Sequence, residues 1–93
     1  MDKRDLVNAV SVASDLPRSV VNRVIKETMD SVVFAVAAGE SVRLSGFGTF
    51  EIQRRAPRTA RNPRTNQQLV VPEKNIPRFR PSPVFKDAVS DTG

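Results

Sequence analysis

The residues best suited to chemistry in this chain are arginines, and they are crowded into one short segment. The stretch RRAPRTARNPRTN, residues 54–66, holds five arginines and two prolines, and it contains no acidic residue. From Arg55 onward the arginines recur at every third position. Its largest apolar side chain is alanine, so the segment adds nothing to a core. A planar guanidinium donates paired hydrogen bonds to phosphate oxygens, which indicates a polyanionic ligand.

The charge is as unevenly spread as the arginines. Residues 53–80 hold eight basic side chains and one acidic one, a net charge of +7, whereas the rest of the chain sums to −2. A cationic segment on a near-neutral body points to nucleic acid or to an anionic membrane surface. The segment lacks interleaved large apolar residues, which argues against the membrane.

The chain has few of the residue types that support catalysis or metal binding. The chain has no Cys, His, Tyr or Trp, and its ten acidic residues are scattered. We therefore expect no catalytic pair, no metal site, no cofactor and no enzymatic activity. The first ten residues, MDKRDLVNAV, are too charged for a signal peptide, and no apolar run has membrane-spanning length. These features predict an intracellular chain.

Two helices are predicted to lead the chain. The first spans residues 3–13, with Asp2 as its cap and Asp5 in its first turn, and the second runs from Pro17 to a stop at Gly39. A wide, valine-rich stripe runs along the second helix, formed by Val20, Val21, Val24, Ile25, Met29, Val32, Val33 and Val36. Valine is a mediocre helix former, so packing against other surfaces must stabilise this helix. A chain of 93 residues without disulfides commonly recruits a partner subunit for this purpose.

After Glu40 the apolar period changes from that of helices to two. Val42 and Leu44 form one alternating run, Phe50 and Ile52 form another, and the glycines that flank Phe47 predict a hairpin turn with that ring buried. The basic segment needs a return strand, for which residues 67–71 are suited. The turn between them is predicted at residues 62–66, a further strand at 75–80 and a last helix at 84–89.

These elements predict one α+β domain over residues 1–93. Its parts are a helical hairpin (1–39), an antiparallel three-stranded sheet (40–53 and 75–82), an extended β-ribbon arm (54–74) and a short C-terminal helix (83–90).

Three stretches carry a family resemblance that covers essentially the whole chain. SGFGTFEI at 45–52, RTARNPRTN at 58–66 and FRPSPVFKDAV at 79–89 resemble the HU and integration host factor family of bacterial histone-like DNA-binding proteins. The resemblance implies an intertwined dimer in which two helical hairpins form the body. Two β-ribbon arms then reach round double-stranded DNA and bend it from the minor groove.

The resemblance also implies roles for individual residues. Pro63 takes the position of the proline that wedges between base pairs. The remaining predicted DNA contacts lie on the arm, at its tip, below the arms and on the first helix: Arg54, Arg55, Arg58, Arg61, Arg64, Asn62, Thr65, Arg80, Lys86 and Lys3. The predicted aromatic centre of the dimer is Phe47, Phe50 and Phe79.

The chain departs from the family pattern at several positions. Gln53 stands where the pattern has arginine, with Arg54 beside it as a substitute from the other face. Ala60 and Asn66 replace glycines near the tip, and residues 82–83 (Ser-Pro) replace Gly-Lys. These changes affect the expected affinity and bend angle rather than the class of protein.

The resulting expectation is a nucleoid-associated protein of the bacterial cytoplasm that binds and condenses DNA with little sequence preference. Bent, nicked or flexible duplexes should bind best, because readout in the minor groove is degenerate. A homodimer is expected, with a heterodimer as the alternative. Two other functions stay open at this point: a site-specific DNA-bending subunit like integration host factor, and an RNA-binding protein.

Overall fold

The computed structural model describes residues 1–90, which form two compact units, Met1–Phe34 and the chain from Ala35 onward. The elements are α1 (Lys3–Ser14), α2 (Arg18–Ala37), β1 (Val42–Leu44), β2 (Gly48–Arg55), β3 (Arg58–Arg61), β4 (Gln68–Val71), β5 (Lys74–Pro81) and α3 (Pro83–Ser90). The predicted α+β class, with its antiparallel sheet, ribbon and C-terminal helix, is confirmed. The assignment of residues 1–93 to a single domain stays a prediction, and its last three residues lie outside the described residues.

The helix ends follow from local hydrogen bonds. Asp2 and Asp5 form a reciprocal capping box at the start of α1, with N–H to carboxylate distances of 3.0 and 3.1 Å. At the end of α2, Gly39 has a φ of 92°. The Glu40 amide donates to the Ala35 carbonyl at 2.9 Å, and the Gly39 amide donates to the Val36 carbonyl at 3.0 Å. This pair of bonds is a Schellman motif, which explains why the glycine stops the helix.

Few apolar side chains are buried. Among residues 1–90, the buried hydrophobic residues are Val7, Val21 and Val36, with exposed fractions of 6%, 2% and 9%. Several large apolar residues of α2 are instead exposed, and Phe34 is 79% exposed. A single chain therefore covers little of its own apolar surface.

The three-stranded sheet has the order β1-β2-β5, and all its pairs are antiparallel. Phe50 lies opposite Val42 on one side and Phe79 on the other, while Thr49 lies opposite Arg43 and Arg80. Because side chains alternate between faces along a strand, the first set marks an apolar face and the second a polar one. The sheet is amphipathic across all three strands.

The prediction that Phe47 is buried is wrong for the single chain. The residue lies in the turn between β1 and β2, and it is 44% exposed. Its ring contacts Phe79 and Phe85 at centroid distances of 5.3 and 5.5 Å. These contacts cover one side of a ring at a turn and leave the rest accessible.

The ribbon continues the sheet after a break. Arg55 pairs with Lys74 at the end of the sheet, and Arg58 pairs with Val71 at the start of the separate β3–β4 ribbon. Two residues lie between these pairs on each strand, so the register is kept, and each gap contains a proline, Pro57 or Pro72. Proline lacks the N–H that the ladder needs, which explains why pairing stops here. The sheet consequently extends to Arg54 and Arg55, which the sequence placed in the arm.

Gly48 is the tightest point of the sheet, and its substitution gives a testable prediction. A Cβ atom there would lie 2.5 Å from Cε1 of Phe79 and 2.6 Å from the Arg80 carbonyl oxygen. We expect Gly48→Ala to lower the free energy of unfolding by about 1–3 kcal/mol, since the backbone atom cannot move aside cheaply. Urea unfolding followed by circular dichroism measures the change.

Gly46→Asn provides the matched control for Gly48→Ala. Gly46 has a φ of 78°, and a Cβ atom at this position would meet only open space. Asparagine tolerates this left-handed conformation. The unfolding midpoint of this variant should stay close to that of the native chain. Equal losses in the two variants would contradict the steric explanation.

Candidate nucleic-acid interface

The polar face of the three-stranded sheet is strongly cationic. Strand alternation places five basic residues on it, and one acid, Glu51, lies among them. The basic residues are Arg43, Arg55, Lys74, Arg78 and Arg80. Such a cluster on a continuous surface attracts the phosphate backbone of a nucleic acid.

The ribbon carries arginines on both of its faces. Arg58 pairs with Val71 and Arg61 pairs with Gln68, and the two arginines are three positions apart along β3. An odd spacing in a strand reverses the face, so the two guanidinium groups project from opposite sides. This arrangement is the one that the three-residue spacing predicts. A ribbon of this kind can contact phosphates on both walls of a groove.

The turn at the ribbon tip is well defined by hydrogen bonds. The Asn62 amide donates to the Gln67 carbonyl at 2.9 Å, and the Asn66 amide donates to the Asn62 carbonyl at 2.8 Å. The Asn62 side-chain oxygen also accepts from the Arg64 amide at 2.9 Å. Asn66 has a φ of 58°, the left-handed conformation that the sequence predicts for it. The turn lies where expected, within residues 62–66.

This turn presents Pro63 to the outside. Pro63, Arg64 and Thr65 are all exposed, and the Thr65 hydroxyl accepts from the Gln67 amide at 3.4 Å. Arg61 donates to the Asn66 side-chain oxygen at 3.3 Å, which ties the last arm arginine to the tip. A rigid ring held outward by a closed turn has the shape of a wedge.

Two predicted contact arginines are ion-paired within the chain. Arg80 donates from Nε to one carboxylate oxygen of Glu51 at 2.8 Å and from Nη2 to the other at 3.3 Å. Arg54 pairs with Glu73, and its position in β2 places it on the face opposite to Arg55. Arg54 thus faces away from the cationic sheet surface. This is the face from which Arg54 is expected to substitute for the arginine that the family pattern has at Gln53.

The two remaining predicted contacts lie on helices. Lys3 is the first residue of α1, and Lys86 lies in α3; both side chains are exposed. α3 begins at Pro83, after a cap in which the Ser82 hydroxyl accepts from the Phe85 amide at 3.2 Å. Lys86 is therefore placed one turn into a capped helix.

Sequence reasoning missed three basic residues of the sheet. Arg43, Lys74 and Arg78 share the polar face with Arg55 and Arg80 once the register is known. The signal was the alternation itself, since Arg43 falls between the apolar Val42 and Leu44. Without the strand pairing, nothing in the sequence assigns these residues to the same surface as the arm.

The aromatic cluster contains one more ring than predicted. Phe79 lies 4.8 Å from Phe50, 5.3 Å from Phe47 and 6.0 Å from Phe85, measured between ring centroids. Phe79 and Phe85 are each 37% exposed in the single chain. The four rings form a packed but incompletely covered apolar surface.

Metal sites and membrane spans are both missing from the described part of the chain. Within residues 1–90, no three acidic side chains come together in a way that could hold a metal ion. No helix in the same range has both the length and the apolar character needed to cross a bilayer.

Comparison with known proteins gives a consistent result. The chain is 40% identical over 90 residues to the DNA-binding protein HU-beta of Pseudomonas aeruginosa, covering 97% of this chain and 100% of that protein. It is 38% identical over 89 residues to the DNA-binding protein HU of Geobacillus stearothermophilus, covering 96% and 99%. Among solved structures, an Anabaena HU–DNA cocrystal structure matches with a TM-score of 0.88 and 32% identity, covering 97% and 98%.

A more distant structure extends the likeness of the fold. HU from Thermotoga maritima matches with a TM-score of 0.70 at 22% identity, covering 96% of this chain and 98% of that one. The family described as bacterial DNA-binding protein matches residues 1–90. On this match, together with the HU relatives, the chain belongs to the HU family of bacterial DNA-binding proteins.

Proposed function

We propose that this protein is a histone-like protein that binds double-stranded DNA as a homodimer, with little sequence preference, and bends it. The observation that carries the proposal is the ribbon, which has arginines on both faces and an exposed proline at a closed tip. In a minor groove such a ribbon contacts phosphates while the proline partly unstacks one base step. By bending DNA in this way the protein compacts the bacterial nucleoid in the cytoplasm. It acts by binding and without catalysis.

The contacts divide by the part of the DNA that they reach. Along the arm, the backbone and groove are contacted by Arg54, Arg55, Arg58 and Arg61. Asn62, Arg64 and Thr65 surround the wedge proline at the tip. The flanks of the bent DNA then contact Arg80, Lys86 and Lys3. Unstacking a base step requires a few kcal/mol, which these additional contacts offset.

A dimer is required for this function and is favoured by burial. Val7, Val21 and Val36 alone are buried among the described apolar residues, whereas Val24 and Val33 of α2 are 56% and 67% exposed. Exposed apolar surface on this scale marks an interface. A second copy of the chain covers the α2 stripe and the aromatic cluster, and it supplies the second arm.

Minor-groove binding with few base contacts gives weak sequence preference. A footprint confined to one sequence would favour the alternative, a site-specific subunit like integration host factor. Preference for DNA that is already bent or nicked separates the proposal from that alternative, because a flexible site lowers the energy needed to deform the duplex.

A competition experiment tests the proposed ligand. Labelled nicked duplex bound to the protein is challenged with unlabelled nicked duplex, linear duplex or a structured RNA hairpin of equal length. We expect the nicked duplex to compete best and the RNA worst. RNA that displaces the probe as well as the nicked duplex would instead establish the RNA-binding alternative.

The arm arginines should contribute to the salt dependence of binding. We expect Arg58→Ala to weaken binding to every duplex similarly and to reduce the slope of log K against log salt by about 0.9, the value for one phosphate contact. Fluorescence anisotropy titrations at several salt concentrations give the slope. Lys26→Ala removes the same charge from α2, where Lys26 pairs with Asp30 at 2.8 Å, and it should leave the slope unchanged.

A further inference from the structure

The polar sheet face and the arm base contain two acidic residues, and each is paired with an arginine that the proposed function assigns to DNA. Between Gly48 and Pro81 the acids are Glu51 and Glu73. Glu51 holds Arg80, and Glu73 holds Arg54. Such pairing is not needed to fold an exposed surface, since ion pairs of this kind add little stability.

The geometry at Glu51 is the more informative of the two. Both carboxylate oxygens accept from the guanidinium, at 2.8 Å from Nε and 3.3 Å from Nη2. In this two-point contact the Nε–Nη2 edge of the guanidinium donates both hydrogen bonds, and arginine uses the same edge to bind a phosphate. The Glu51 side chain is only 23% exposed, whereas that of Arg80 is 56% exposed. The carboxylate is thus held in the strand while the guanidinium lies at the surface.

The strand register explains why Glu51 is well placed to hold this arginine. Glu51 lies directly opposite Arg78, and Arg80 is its diagonal neighbour on the same face. The acid therefore lies in the middle of the cationic face and lowers the positive potential there. A phosphate that approaches Arg80 meets a carboxylate already bound to it.

We propose that Glu51 competes with the DNA backbone for Arg80 and thereby limits how far DNA wraps onto the sheet. This inference rests on the proposed function. Straight DNA that contacts the arms alone leaves the pair intact, whereas bent DNA that reaches Arg80 must displace the carboxylate. Glu73 acts in the same way on Arg54 at the base of the arm.

The test compares Glu51→Gln with Glu40→Gln on nicked and linear duplexes. Glu40 is exposed and lies just before β1, so its substitution changes the net charge equally without touching the pair. We expect Glu51→Gln to bind nicked duplex about fivefold more tightly than Glu40→Gln, the order that a partly exposed ion pair supports. For linear duplex the two variants should differ less.

A double-mutant cycle with Arg80→Ala identifies the cause. In that background the advantage of Glu51→Gln over Glu40→Gln should vanish, since no guanidinium is left to release. Equal affinities of the two glutamine variants, or a gain that persists without Arg80, would overturn the inference.

Glu73→Gln repeats the test independently at Arg54, should Glu51→Gln fail to fold. It is expected to tighten binding relative to Glu40→Gln, and a lack of difference would count against the inference. These failures are distinct from failure of the proposed function. If the native protein shows no preference for nicked duplex, the function is wrong; if it shows the preference and the glutamine variants match, only the competition is wrong.

Discussion

Pro63→Ala should abolish most of the preference for nicked and bulged DNA over linear duplex. Pro63 is exposed at a turn that its neighbours close with hydrogen bonds, so its removal leaves the tip intact but takes away the wedge. The energy gained by entering an already weakened base step is then lost. We expect binding to nicked duplex to weaken by about tenfold or more, on the scale of the few kcal/mol that unstacking involves. Gel-shift titrations with the three duplexes measure it.

Pro57→Ala serves as the control for this substitution. Pro57 is also a proline of the arm, but it lies at the break between the sheet and the ribbon rather than at the tip. Its variant should keep the ranking of nicked, bulged and linear duplexes. If Pro63→Ala retains that ranking as well, the wedge has no role in recognition.

Phe79→Ala should cause the largest loss of stability. The ring lies at the centre of the aromatic cluster and contacts Phe47, Phe50 and Phe85. It is 37% exposed in one chain, and the second copy is expected to cover the remainder. Deleting a packed phenylalanine lowers the free energy of unfolding by about 3–5 kcal/mol, which exceeds what a small domain can readily lose.

Circular dichroism is the suitable probe of that loss, because the chain has no Trp or Tyr to follow by fluorescence. Urea unfolding at several protein concentrations should show a midpoint that rises with concentration in the native protein, as a dimer requires. Phe79→Ala should unfold at much lower urea and sediment as single chains. Lys26→Ala, at an exposed charged residue of α2, should change the midpoint little. A concentration-independent midpoint in the native protein would exclude the dimer.

The helix boundaries were predictable because their signals are local. The cap at Asp2 and the glycine stop at Gly39 act between residues close together in the chain, and both are found. The tip turn was predictable for the same reason, since Asn62 and Asn66 have side chains suited to it.

Properties that depend on strand pairing were not predictable. The common face of Arg43, Arg78 and Arg80 follows from a register that joins residues far apart in the sequence. The ion pair of Arg80 with Glu51 depends on the same register, so sequence alone counted that arginine as a free contact. The exposure of Phe47 was also misjudged, because an aromatic between two glycines gives no sign of which chain covers it.

The resemblance to the HU family supplied what local patterns did not. Arginine spacing indicated a ribbon with two cationic faces, and the short chain without disulfides indicated a partner subunit. The role of Pro63 as a wedge and the intertwined dimer with two arms came only with the family. The ribbon geometry is compatible with a wedge at Pro63 and with one arm from each of two chains. The substitutions described above distinguish this arrangement from an arm that binds DNA through its charge alone.

Fluorescence energy transfer between dyes at the two ends of a short duplex tests the central claim most directly. If two arms kink the DNA, transfer should rise as protein is added and reach a plateau at two chains per duplex, and it should fall again at high salt as phosphate contacts are lost. Binding that is complete by anisotropy while the end-to-end transfer stays at its value for free DNA would contradict the claim.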